Sequence, residues 1–303
     1  MIATSAYELA TTAVALVDRS ERTKLLLTGD GAAEFLQGQA TNDVEALAPG
    51  EGCYAAFLNP KGKLRADLRV LRLDDGFWLD AESYAKEVVV WVVDRFSVGL
   101  QVDTQDLTSE RALLSLIGPE ARGALDVPPP ATEHAHTRGE HGLYVSTDLG
   151  VDVICAATEA DGVRAALGIE EVANEVAEVL RVESGRPRLG LDMDGDTIPQ
   201  EAGLNERAVS FEKGCYTGQE TVARLHFRGR PNRHLRGLRL SDPADRGDPI
   251  VLGEKEVGRV GSTAESPVLG PIALALVRRE ASPGDRVSVG GADAEVVELP
   301  FAR

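Results

Sequence analysis

Cysteine, methionine and tryptophan are scarce in this 303-residue chain, at three, two and two copies. Cys53, Cys155 and Cys215 form no Cys-x-x-Cys pair, which excludes a disulfide framework and a self-contained zinc or iron–sulfur site. Long apolar runs are also missing. The longest, such as residues 88–93 and 272–277, fall far short of the ~20 residues a membrane-spanning helix needs, so no membrane association is expected. The first basic residue is Arg19, so the N-terminus lacks the positive start of a secretory signal, and the expected location is the cytoplasm. No Gly-rich loop precedes Lys-Ser or Lys-Thr, and Gly29-Asp30-Gly31 lacks the third glycine of a dinucleotide fingerprint. A Gly-x-Ser-x-Gly nucleophile elbow is absent as well. Positive charge is in deficit, with 32 Lys and Arg against 49 Asp and Glu and a net charge of −17. Such a surface repels phosphate backbones and argues against direct nucleic-acid binding.

What is present describes a folded α+β protein: 43% of residues are hydrophobic, enough for a sizeable core. Short β-like runs recur at 24–28, 53–58, 64–73, 113–117, 143–146 and 152–156. Two helical patterns interrupt them, one carried by Tyr84, Val88, Val92 and Phe96, the other by Val172, Val176, Val179 and Leu180. The prolines at 128–130 mark a break near 127–131, and the turn formers of 241–249 mark a clearer one. The reading is a first region over 1–239 and a small C-terminal β-barrel over 240–303. His134, His136 and His141 lie beside Glu133 and Glu140 like a metal-ligand cluster, but they follow three prolines and read as a solvated loop, so no metal site is assigned.

The segment 211–240, FEKGCYTGQETVARLHFRGRPNRHLRGLRL, carries the most chemistry. Cys215 lies next to Gly214 and two residues after Lys213, a setting that exposes the sulfur and favours the thiolate, whereas Cys53 and Cys155 read as small buried hydrophobes. Residues 213–240 hold seven basic side chains against Glu220 alone, a local charge of +6 that leaves −23 elsewhere. That island points to an anionic ligand or partner, unless its arginines pair with acids on neighbouring elements. A second outlier is Glu183. At 100° per residue it falls roughly 20° from Val176 on the apolar helical face, so its carboxylate points inward, where N–H donors or a nearby arginine must satisfy it.

KGCYTGQE at 213–220, with Ala223-Arg224 and Phe227-Arg228-Gly229, resembles the signature of the YgfZ family, folate-binding proteins akin to the T-protein (aminomethyltransferase) of the glycine cleavage system. LQGQATND at 36–43, NPKGK at 59–63, GPEA at 118–121, RVESGRP at 181–187 and IPQE at 198–201 extend the resemblance over most of the chain. It implies a three-lobed fold around a folate channel, with two interleaved lobes before the barrel and tetrahydrofolate as cofactor. It also implies a supporting role in assembling or repairing iron–sulfur clusters of client enzymes, including those that thiolate tRNA. Cys215 is then the key thiol at the channel mouth with Lys213 beside it, and Glu183 holds the pterin. Asn42, Tyr54, Asp67, Gln219, Arg224 and Arg228 complete the expected folate site. T-proteins place paired acids where this chain has Arg65-Ala66-Asp67, and they lack the cysteine. The alternative implied function is a folate-dependent aminomethyltransferase.

Overall fold

The structure, a computed structural model, describes residues 4–302. Two five-stranded antiparallel sheets precede a closed six-stranded barrel. The first sheet runs in the order Gly52–Leu58, Leu64–Arg72, Phe77–Ala81, Thr23–Thr28, Asp103–Asp106. The second runs Ala15–Asp18, Arg111–Ile117, Gly150–Ala156, Gly142–Ser146, His136–Gly139. The lobes interleave, because Ala15–Asp18 joins the second sheet before Thr23–Thr28 enters the first. The prolines at 128–130 interrupt the loop between Arg111–Ile117 and His136–Gly139, inside the second lobe rather than between lobes.

Side chains alternate across a strand, and the Leu64–Arg72 strand shows what this builds. Ala66, Leu68 and Val70 face one way, into a core with Phe35 and Leu36 of the Ala32–Gln39 helix and Val89, Val92 and Val93 of the Lys86–Phe96 helix. Leu71 faces the other way and packs with Trp78 against Leu113, Leu143, Val145 and Ile154 of the second sheet. The two sheets therefore meet face to face, apolar at this end. The far side of the second sheet buries Leu114, Leu116, Val151 and Val153 with Ala160 and Val163 of the Ala160–Leu167 helix.

The Lys86–Phe96 helix corrects the expected stripe: Tyr84 and Phe96 are exposed, at 47% and 38%, and Val89 and Val93 are buried instead. A strict spacing of four advances about 40° per step, so a ladder of three steps swings some 120° off the buried face. The other pattern is realised in the Asn174–Glu183 helix, which buries Val176, Val179, Leu180, Val182 and Glu183. Val172 sits just before it, its N–H bonded to the Leu16 carbonyl. The barrel opens with Arg233–Leu240, so the chain enters it upstream of residue 240. Val182 packs with Leu235, Ile272, Leu274 and Phe301, joining barrel to helix.

Candidate functional site

The same alternation that sends Leu71 into the seam between sheets sends Asp67 and Arg69 into it four and two residues earlier, where the sheets enclose a polar space. A cavity of about 170 Å³ lies there, bounded also by the Asn174–Glu183 helix. Seven arginines and six carboxylates line it. Its floor is a buried ion network: Arg69 stands opposite Asp80 in register and donates to it at 2.7 Å, and it reaches across to Asp152 of the second sheet at 2.7 Å. Ser115 donates to Asp152 at 2.6 Å, and Arg22 donates to Asp80 at 2.9 Å. Burial alone would push the Asp80 carboxyl up, but Arg69 and then Arg22 hold it down at about 2. Charges buried this deeply are tolerable only when paired in this way.

Asp67 is treated differently. It is 8% exposed, its Oδ2 accepts the Tyr54 hydroxyl at 2.6 Å, and its Oδ1 is buried with no hydrogen-bond partner. Burial raises its pKa above the ordinary value against the pull of Tyr54, and the Tyr54 phenol is itself pushed well up by burial and by Asp67. Arg207 lies 5.1 Å over the Tyr54 ring and donates to Glu133 at 2.6 Å. Sequence reasoning assigned neither the cavity arginines nor His134 and Glu133, which line the cavity too. The loop at 131–136 is not solvated throughout: the side chain of His134 is 13% exposed, and His136 is buried. The readable signal was the placing of charges at alternate positions, Asp67 and Arg69, of an otherwise apolar strand.

Cys215 occupies a separate place, because no residue of 211–230 lines the cavity. Its turn consists of buried anchors flanking an exposed pair: Lys213 and Tyr216 are 8% and 7% exposed, whereas Gly214 and Cys215 are open to solvent. The Lys213 ammonium donates to the carbonyls of Gln37, Ala40 and Asn42 at 2.7–2.9 Å. Burial lowers its pKa to about 8, and the groups opposing this are Asp43, Cys53 and Glu45. Lys213 is thus a structural strut, its ammonium held on three carbonyls, and Cys215 is not among the groups that shift its pKa. Cys53 is inert, its thiol pushed up to about 12 by burial. The turn docks on the Asn59–Gly62 turn through two glycines with φ of 84° and 76°, Gly218 and Gly62; a Cβ on Gly218 would meet the Asn59 carbonyl at 2.5 Å. Only glycine fits there.

Asn42 spans the gap between these places. Its side-chain amide donates to the carbonyls of Tyr54 (2.9 Å) and Arg207 (3.3 Å), while its own carbonyl receives Lys213. The basic strip divides in two. Arg233 pairs with Glu201 and Arg236 with Glu298, and Arg239 donates to the Ala302 carbonyl. Arg224, Arg228 and Arg230, on and after the Gln219–Arg228 helix, are exposed, and no ion pair holds them among the described residues. Gln219 opens that helix, half-buried, its amide 3.4 Å from the Gly214 carbonyl. Glu183 is buried as its helical phase required, accepting from the Tyr7 hydroxyl at 2.9 Å and Ser266 at 2.6 Å, but it does not line the cavity. The acid of its helix that does is Glu178, paired with Arg181 and Arg188.

Residues 3–137 match the family model for the GCVT N-terminal domain, and residues 233–302 match that for the glycine cleavage T-protein C-terminal barrel domain. An aminomethyltransferase of Synechococcus sp. is 31% identical over 96% of this chain and 88% of its own length. The chain belongs to the family of the glycine cleavage T-protein and YgfZ. Within this family, the tRNA-modifying protein YgfZ of Klebsiella pneumoniae is 33% identical over 69% of this chain and 66% of its own. The crystal structure of the glycine cleavage system aminomethyltransferase T from Bartonella henselae superposes with a TM-score of 0.89 over 98% of this chain and 89% of that one, at 23% identity. The fold is therefore the T-protein fold. No helix among the described residues is long and apolar enough to cross a membrane.

Proposed function

We propose that this protein binds tetrahydrofolate, or a one-carbon derivative of it, in the arginine-lined cavity and supports the assembly or repair of iron–sulfur clusters in cytoplasmic client enzymes, tRNA-thiolating enzymes among them. The observation that carries the reading is Asp67 Oδ1, a buried acceptor with no partner inside a cavity rich in guanidinium groups. The residues fit the group. A reduced folate has N–H donors for such an acceptor and glutamate carboxylates for arginines. Asp67 and Tyr54 would hold its ring end, and the cavity arginines its acidic end. Bound there, it supplies nitrogens able to carry a one-carbon unit. Cys215 lies on the outer face in an exposed turn and is the thiol available to a client or to a cluster in transit. Relatives named tRNA-modifying protein YgfZ support this reading.

A second reading, a folate-dependent aminomethyltransferase, is favoured by the Tyr54–Asp67 pair, a carboxyl of raised pKa able to hold a proton beside a folate amine. Titration with tetrahydrofolate tests the shared part: wild type gives a saturable signal, and its absence ends both readings. Cys215→Ser then separates them. Loss of iron–sulfur enzyme activity in a complemented deletion strain supports the first, and steady conversion of an aminomethyl donor to methylene-tetrahydrofolate by wild type and variant alike supports the second.

A further inference from the structure

Among the described residues, most of the buried side-chain polar atoms without partners belong to the cavity, while Gln200, Asn205 and Arg236 hold the rest elsewhere. Asp67 Oδ1, His134 Nδ1, Arg19 Nε and Arg207 Nε all belong to its lining. The arginine atoms are donors, as an anionic ligand requires. Asp67 Oδ1 is an acceptor, and the state of His134 decides whether it stands alone.

His134 is the one non-glycine residue with positive φ, at 70°, among the described residues. Glycine would adopt that angle without strain, so the backbone gains nothing from a side chain here. The neighbourhood nevertheless fixes the position. The His134 N–H donates to the Ser146 carbonyl at 2.8 Å, and the His136 N–H to the Gly50 carbonyl at 2.8 Å. The His134 carbonyl lies so close to Gly52 that a Cβ there would meet it at 2.8 Å. Strain held by surroundings that over-determine it is characteristic of ligand sites. The imidazole Nε2 lies 3.6 Å from Glu133 Oε1, whose other partners are Arg186 and Arg207. In the tautomer with its proton on Nε2, the nitrogen that faces this carboxylate, the ring leaves Nδ1 as an acceptor. Burial and then Arg69 lower the imidazole pKa to about 3, so the ring is neutral at physiological pH.

We infer that His134 is a ligand-contacting residue of this cavity, its Nδ1 and Asp67 Oδ1 together receiving N–H donors from one flat nitrogen heterocycle whose anionic portion meets the arginines. This rests on the proposed function and narrows it. A simple phosphate or dicarboxylate would satisfy the guanidinium groups but leave both acceptors bare, whereas a ring bearing amino and ring N–H groups satisfies both.

The test compares wild type with H134G, H134A and H134Q by calorimetric titration with tetrahydrofolate and, separately, with p-aminobenzoylglutamate, which keeps the acidic tail but lacks the pterin. Tetrahydrofolate binding is expected to weaken about ten-fold in H134G and H134A, in line with one lost buried hydrogen bond, and to recover in part in H134Q, whose amide oxygen is an acceptor. p-Aminobenzoylglutamate should bind all four proteins alike. H134G should melt at or above the wild-type temperature, since it relieves the strain at φ 70°, so its weaker binding cannot come from misfolding. Unchanged tetrahydrofolate affinity in both H134G and H134A overturns the inference while leaving the folate reading intact. No tetrahydrofolate binding by wild type overturns both.

Discussion

Tyr54 donates its hydroxyl to Oδ2 of Asp67 across 2.6 Å, and the other oxygen of that carboxylate is left bare inside the cavity. One carboxylate is thus half satisfied by the protein, its second oxygen buried without a partner in a residue that lines the cavity. Burial raises its pKa, so the folded state holds the Asp67 proton more tightly than the unfolded chain does. The associated stability is present below the ordinary value of 3.8 and is lost as pH rises through the higher folded value. At pH 7 this shift therefore counts against the fold. Asp67→Asn should leave the unfolding midpoint at pH 7 unchanged or raised, with the gap to wild type closing below about pH 4. It should also weaken tetrahydrofolate binding about ten-fold, roughly the value of one buried hydrogen bond. A large fall in the pH 7 midpoint would show that Asp67 is structural.

Lys213 and Cys215 are two residues apart and should respond oppositely to substitution. The Lys213 ammonium satisfies three carbonyls of the 37–42 segment, so Lys213→Ala strands buried acceptors and should cost roughly 2–4 kcal/mol in urea unfolding. Cys215 is exposed, and Cys215→Ser should stay within about 0.5 kcal/mol of wild type while removing the thiol function. Equal losses of stability would mean that the motif is wholly structural.

The outline of the fold was legible because it is written in short-range pattern: strand alternation, the helical phase of Glu183, and turn formers before the last strands. The KGCYTGQE motif located the exposed thiol for a similar reason, since glycines and a buried Tyr216 are local features. What the chain order concealed was which charges converge. Arg19, Arg69, Arg186 and Arg207 come from both lobes and from segments far apart in sequence, and only the face-to-face packing of the sheets brings them together. Lys213 and Cys215 show that proximity in sequence says nothing about direction: two residues apart in one tight turn, one is buried and the other exposed. The polar composition after the prolines reads as an exposed loop, yet His134 is pinned against Gly52.

Glu183 connects three parts of the molecule, receiving Tyr7 from the Thr4–Thr12 helix and Ser266 from the barrel while sitting at the end of its own helix. Glu183→Ala should therefore leave two buried hydroxyls short of an acceptor and lower stability by about 2–4 kcal/mol. Its tetrahydrofolate affinity, measured where the variant is fully folded, should stay near wild type, because the carboxylate does not line the cavity. A protein of normal stability that loses folate binding would instead restore Glu183 to the pterin-holding role that the resemblance implied.

The basic strip of residues 213–240 should behave as two halves. Arg233 makes a two-point pair with Glu201, at 2.9 and 3.2 Å, which raises its pKa; Arg233→Glu should cost about 1–2 kcal/mol through that lost pair and the like charge created. Arg224 and Arg228 have no ion partner among the described residues and are exposed beside Phe227, itself 68% exposed, on the helix that follows the Cys215 turn. The double variant Arg224→Glu, Arg228→Glu should unfold within about 0.5 kcal/mol of wild type. It should bind tetrahydrofolate normally, since neither arginine lines the cavity. If this helix receives an acidic client, the same variant should lower iron–sulfur enzyme activity in a complemented deletion strain, with a loss that deepens at low ionic strength, where like-charge repulsion is least screened. Full complementation by the double variant would remove the helix from the partner surface and leave Cys215 to act without it.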